Sequence, residues 1–118
     1  MGVEKRADRR INIACKITFN LKDKQLVLNA HTENISAGGL MVIIGEEIER
    51  SKVVDLELFL WNKDKPLKFK GEVAWVNEIT PKATQPRLFN TGIKFIEMSE
   101  SDKTEITDFI NTIFSTWQ

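Results

Sequence analysis

The chain has 118 residues, of which 17 are basic and 17 are acidic, so its formal net charge at pH 7 is zero. A chain of this length is expected to form one domain that buries a core without disulfides or metal ions. A neutral chain has no overall field to attract a long polyanion, so the composition argues against a duplex DNA-binding protein.

Residues 1–10 are polar and show no hydrophobic periodicity, which predicts a flexible N-terminal arm in front of a single domain at 11–118. Three of the five arginines, Arg6, Arg9 and Arg10, fall in this arm, next to Lys5. A local basic cluster on a neutral chain favours a small anionic ligand over a nucleic-acid groove.

The next stretch predicts a strand with one buried face, because apolar residues occupy every second position from Ile11 to Phe19. Similar alternation predicts strands at 26–30, 54–60, 67–75 and 91–95, and a short apolar run predicts one more at 40–44. Gly71, in the middle of the fifth strand, predicts a bulge or bend. In-phase Trp75 is expected to pack in the core. A loop is predicted from Glu78 to Asn90, where two prolines occur.

The C-terminal stretch changes its period, because apolar residues from Ile106 to Trp117 recur every three or four positions. This spacing predicts a helix over 99–117, with Ser99 as the N-cap and Asp102 as a first-turn acid. Six strands with short links and no helices between them predict an antiparallel sheet that closes into a barrel. The fold class is therefore all-β, with a six-stranded antiparallel β-barrel capped by one C-terminal α-helix.

The sequence offers little for catalysis. His31 is the sole histidine and Cys15 the sole cysteine, which excludes an internal disulfide and leaves no two-histidine or four-cysteine metal site. A Cys15–His31 catalytic pair is the one enzyme alternative, but Cys15 alternates with apolar neighbours and is predicted to be a buried core residue. We expect no catalytic residues, no metal and no cofactor.

No apolar run approaches the ~18 residues of a membrane span, and no basic-then-apolar leader opens the chain. These features lead us to expect a cytoplasmic protein without membrane insertion.

A short polar turn is predicted at 34–39, between two apolar runs. Asn34 provides an amide side chain and Ser36 a hydroxyl, while Gly38 and Gly39 let the backbone bend and approach a ligand closely. Together with the guanidinium groups of the arm, these groups suit an anionic ligand that carries a hydrogen-bonding base.

The spacing of these residues resembles the paired signature of the PilZ domain, a bacterial receptor module for the second messenger cyclic di-GMP. The first half is Arg6 with Arg10, and the second is Asn34 with Ser36 and Gly39. The segments 71–76 and 92–95 are similar to the fifth and last strands of that family, so the likeness extends over nearly the whole chain. It implies a PilZ-like split barrel, in agreement with the fold read from periodicity.

The resemblance also implies a function. Arg6 and Arg10 would bind the phosphates and the guanine edge of cyclic di-GMP, Asn34 and Ser36 would bond guanine and the ligand backbone, and Gly39 would keep the approach open. The further candidates for ligand contact are Lys5, Arg9, Gly38 and Trp75. Ligand would order the arm, and the changed surface would signal to a downstream protein partner whose identity the sequence does not reveal.

Three other functions compete with this one. The first is a PilZ-like adaptor that binds a protein and no nucleotide. The second is a small barrel for single-stranded nucleic acid, which would expose aromatics along a basic groove. The third is a flavin-binding split barrel, which would need a larger cleft.

Overall fold

The computed structural model describes residues 9–79 and 86–116. In these ranges the chain forms seven strands, one α-helix and a short 3-10 helix at Lys22–Lys24. The strands and the α-helix are β1 (Arg10–Ile11), β2 (Lys16–Leu21), β3 (Leu26–Ser36), β4 (Gly39–Ile44), β5 (Val53–Phe59), β6 (Leu67–Ile79), β7 (Leu88–Ile96) and α1 (Glu100–Thr116). Most of the predicted arm, including Lys5 and Arg6, lies outside the described residues, as does Trp117.

Six of the strands form a closed antiparallel barrel. Neighbouring strands pair in the order β3-β2-β5-β6-β7-β4, and β4 pairs back onto β3 to close the ring. The short β1 adds to the same edge of β3 as β2, next to its C-terminal end. The predicted fold class, an all-β barrel with one C-terminal helix, is confirmed.

The barrel interior and one face of the helix form a single apolar core. Ile17, Phe19 and Leu58 are fully buried inside the barrel, and Ile106 of α1 is buried with them. The helix begins where the sequence predicts, because the Ser99 hydroxyl accepts a hydrogen bond from the Asp102 backbone N–H at 3.1 Å. Helix α1 packs against β1 and β3.

The first predicted strand, from Ile11 to Phe19, is interrupted in the structure. Residues 12–15 are not part of any strand, although Ile13 and Cys15 keep their inward alternation. The buried hydroxyl of Thr32 replaces the missing strand pairing: it accepts from the Cys15 N–H at 2.9 Å and donates to the Ile13 carbonyl at 2.7 Å. A side chain on β3 thus completes the backbone hydrogen bonds of this segment.

Thr32→Val should lower the free energy of unfolding by about 2 kcal/mol, because it leaves a buried N–H and a buried C=O without partners while keeping the side-chain shape. Urea denaturation monitored by circular dichroism measures this loss. The matched control is Thr18→Val, since the Thr18 hydroxyl bonds an exposed Asn29 oxygen that water can satisfy. Equal stability of the two variants would contradict a structural role for the Thr32 hydroxyl.

Strands β6 and β7 are longer than the sequence pattern indicates. Glu78 pairs with Phe89 and Ile79 with Leu88, so both ends of the predicted 78–90 loop are strand. The end of β6 is mostly exposed, and an exposed strand does not need the strict alternation on which the prediction relied.

The predicted bulge at Gly71 is also misplaced. Gly71 pairs regularly with Val54 and Phe95, and the register shift lies between Val73 and Trp75. Gly71 is needed for space instead, because a Cβ there would lie 2.5 Å from the Ile93 Cγ2 atom. The bulge between Val73 and Trp75 changes which side chains of β6 lie on the outer surface of the barrel.

Candidate ligand site

The polar motif that was predicted as a turn is mostly strand. Asn34 and Ser36 belong to the end of β3, and only Ala37 and Gly38 link it to β4. The Ser36 hydroxyl closes this hairpin: it accepts from the Gly38 and Gly39 N–H groups at 3.3 and 3.2 Å and donates to the Gly39 carbonyl at 3.2 Å. Ser36 is therefore held rigidly, with only 4% of its surface exposed.

The two glycines have different environments. A Cβ on Gly39 would lie 2.3 Å from the Ile93 carbonyl oxygen, whereas a Cβ on Gly38 would meet nothing within 4 Å. Neither uses a positive φ angle. Gly39 therefore serves the close packing of β4 on β7, and Gly38 leaves the tip of the hairpin open.

Arg10 joins the N-terminal segment to the polar motif. Its Nη1 atom donates to the Asn34 Oδ1 atom, and its Nη2 atom donates to the Ser36 hydroxyl at 3.3 Å. The cause is the pairing of β1 with β3, which places Arg10 directly opposite Ser36. Arg10 thus meets two predicted site residues that lie more than twenty positions further along the sequence, at one end of the barrel surface.

Arg9 takes the opposite direction. Its Nη1 atom donates to the Asn111 Oδ1 atom at 3.0 Å, and its guanidinium carbon lies 4.1 Å from the centre of the Phe114 ring. Neighbouring residues of an extended chain point to opposite faces, so Arg9 contacts helix α1 while Arg10 contacts Asn34. The structure does not bring Arg9 together with the other candidates.

An open cleft of about 530 Å³ extends from this cluster over the outer surface of β4, β7 and β6. It is lined by Arg10, Asn34, Ser36, Gly38, Gly39, Leu40, Met41, Ala74, Trp75, Gly92, Ile93 and Lys94. Five of the predicted site residues other than Arg10 are in this set, and Arg6 and Lys5 lie outside the described residues.

Trp75 lies on the outside of the barrel, so its predicted core position is wrong. The bulge after Val73 shifts the alternation by one residue, and 38% of the Trp75 surface is exposed. Its indole covers Gly92, where a Cβ would lie 2.3 Å from the ring. Trp75 therefore forms an aromatic wall of the cleft.

Six cleft residues were not predicted from the sequence: Leu40, Met41, Ala74, Gly92, Ile93 and Lys94. One signal was available for Lys94. It is the sole charged residue of the strand Leu88–Ile96, and the residue two positions before it, on the same face, is Gly92. Within the lining set, Arg10 and Lys94 carry positive charge and no carboxylate is present. The cleft is thus suited to an anionic ligand.

A second groove of about 500 Å³ crosses the outer face of β2, β5 and β6. Here Asp55 forms ion pairs with Lys22 at 3.1 Å and Lys70 at 2.9 Å. Hydrogen bonds from Lys70 and then Lys22 lower the pKa of Asp55 below its ordinary value. The carboxylates of Asp55, Glu57 and Glu97 line this groove, so it is less suited to an anion than the first.

Cys15 is fully buried, as predicted, and burial raises the pKa of its thiol to about 11. His31 is exposed on β3. A buried, protonated thiol and a solvent-facing imidazole do not form a nucleophile–base pair. Among residues 9–79 and 86–116, no three His, Cys, Asp or Glu side chains are grouped as metal ligands, and no helix has the length and apolarity to cross a membrane.

A family model described as PilZ domain matches residues 4–112. The chain belongs to the PilZ domain family. A search of curated protein sequences finds no match.

Several solved structures share this PilZ fold. The PilZ domain of Escherichia coli YcgR with c-di-GMP has a TM-score of 0.71 at 13% identity, over 96% of this chain and 94% of that one. Bacillus subtilis MotI/DgrA, an inhibitor of motility, has a TM-score of 0.75 at 14% identity, over 97% and 53%. K. pneumonia MrkH has a TM-score of 0.80 at 12% identity, over 98% and 52%. The chain thus spans about half the length of MotI and MrkH.

Proposed function

We propose that this PilZ domain is a receptor for cyclic di-GMP and binds it in the cleft between the β3–β4 hairpin and Trp75. The observation that carries the proposal is the meeting of Arg10 with Asn34 and Ser36 at the mouth of an open cleft without acidic lining. The solved structures of YcgR and MrkH with c-di-GMP support it by fold.

Arg10 is suited to exchange its partners for a ligand. Asn34 is a neutral acceptor, so its hydrogen bond orients the guanidinium group without neutralising the positive charge. A phosphate or the O6 and N7 acceptors of guanine offer a better match to the planar guanidinium donors. The Asn34 amide, once released, bonds to the ligand in its place.

The remaining contacts follow from the cleft. Trp75 offers an aromatic face beside a base, and the open position at Gly38 admits the ligand over the hairpin tip. Arg6 and Lys5 add positive charge from the arm. Gly39 keeps β4 close to β7, which preserves the shape of the cleft floor.

In this mechanism the protein is a binding module and not an enzyme. Ligand bridges the arm at residues 1–10 and the β3–β4 hairpin, and the resulting surface binds a downstream protein effector. Such a receptor acts in the cytoplasm, where the messenger is produced. The alternative is a PilZ adaptor that binds its protein partner without nucleotide.

Calorimetric titration of the purified protein with cyclic di-GMP tests the proposal. GTP is the control ligand, because it contains guanine and phosphate groups but is not a cyclic dinucleotide. We expect a saturable heat signal with micromolar or tighter affinity for cyclic di-GMP and little heat with GTP. The stoichiometry reports whether one or two ligand molecules occupy the cleft. Absence of binding to cyclic di-GMP would contradict the receptor function and favour the adaptor.

A further inference from the structure

Lys94 lies at the far side of the same cleft from Arg10, on a different wall. The strand register places Arg10 opposite Ser36, and Gly39 opposite Lys94. Ser36 and Gly39 face each other across the hairpin and are hydrogen-bonded. These four residues therefore form one row across β1, β3, β4 and β7.

The row has a cation at each end and small residues between them. Adjacent strands lie about 4.8 Å apart, so three strand spacings separate Arg10 from Lys94 by about 14 Å along the surface. Ser36 is buried against the hairpin and Gly39 has no side chain, so nothing in the row projects between the two positive groups. A ligand that lies over this floor can contact both.

Lys94 is also available for a ligand. It is exposed, and no carboxylate in the described part of the chain lies within ion-pairing distance of it. By contrast, Lys70 forms an ion pair with Asp55, and Lys52 forms one with Asp23. Glu72 is the neighbour of Lys94 on β6 by register, but the two side chains do not form an ion pair.

We propose that Lys94 is a second anion contact of the cleft and that it binds one of the two phosphates of the ligand. This inference rests on the proposed cyclic di-GMP function. The Lys94 ammonium group binds one phosphate from the β7 wall, while Arg10 binds the ligand at the β3 end. An ammonium group suits this role because it is a compact charge that contacts phosphate without a fixed orientation.

The test is titration with cyclic di-GMP of the wild type and of Lys94→Met, which keeps the length of the side chain and removes its charge. We expect about tenfold weaker binding and a smaller loss of affinity with added salt, because one ionic contact is missing. Lys94→Arg should bind within a few-fold of the wild type. The matched control is Lys68→Met, since Lys68 is exposed on β6 outside this cleft and should not affect binding.

Glu72→Gln adds a result of opposite sign. It removes the carboxylate nearest to Lys94 by register, so it should strengthen binding by roughly two- to fivefold at low salt. Binding by Lys94→Met with wild-type affinity and salt dependence would overturn the inference while leaving the receptor function intact. Failure of the wild type to bind cyclic di-GMP would instead overturn the proposed function, and this inference with it.

Discussion

Arg10→Ala should weaken cyclic di-GMP binding by at least about 100-fold, which corresponds to a loss of about 2.7 kcal/mol. The substitution removes the guanidinium donors that bond Asn34 and Ser36, and with them the charge at the β3 end of the cleft. A bidentate arginine contact with guanine contributes about 1–3 kcal/mol, and a phosphate contact adds to it. Calorimetric titration at constant salt measures the change.

The matched control is Arg50→Ala, which removes the same side chain from the exposed connection between β4 and β5. It changes net charge equally, so any difference between the two variants reports the position of Arg10. Thermal unfolding should show little change in either variant, because the Arg10 hydrogen bond to Asn34 is exposed. Unchanged affinity of Arg10→Ala would contradict the assignment of this cleft as the ligand site.

Gly39→Ala is expected to lower the free energy of unfolding by about 3 kcal/mol. A Cβ at this position lies 2.3 Å from the Ile93 carbonyl oxygen, and a backbone atom cannot rotate away as a side chain can. Strands β4 and β7 must separate locally, which strains the register of Gly39 with Lys94. Urea denaturation measures the loss of stability.

Gly38→Ala, one residue earlier, is the control. Its Cβ meets nothing within 4 Å and its backbone does not use a positive φ angle, so alanine fits without strain. We expect a change within about 0.5 kcal/mol, since the reduced freedom of the unfolded chain offsets any small loss. If the two alanine variants were equally stable, close packing would not be the reason for glycine at position 39.

Alternation was sufficient to predict the barrel, because the inward and outward residues of a strand can be recognised from that strand alone, without knowing which strand it pairs with. Ile17 and Leu58, for example, are buried as the pattern predicts. Helix α1 was equally accessible, since the Ser99 cap and the apolar face are local signals. The interruption before β2 was not, because it depends on hydrogen bonds of Cys15 and Ile13 with the side chain of Thr32, a residue of another strand.

The candidate site shows the same division. The sequence singled out Arg10, Asn34 and Ser36, and the structure places them in contact. It gave no indication that Arg9 would face helix α1, since that contact depends on how the helix docks. Lys94 was missed because it joins the cleft only through the pairing of β4 with β7.

The face of β6 on which Trp75 lies is set by the bulge between Val73 and Trp75. Along β6, a residue's face is set by whether its count from Leu67 is odd or even, and the bulge adds one to that count. The same side chains in the same order would otherwise bury the indole and turn the next residue, Val76, toward the cleft. A single residue in the strand thus decides whether this barrel presents an aromatic surface to its surroundings or keeps it inside.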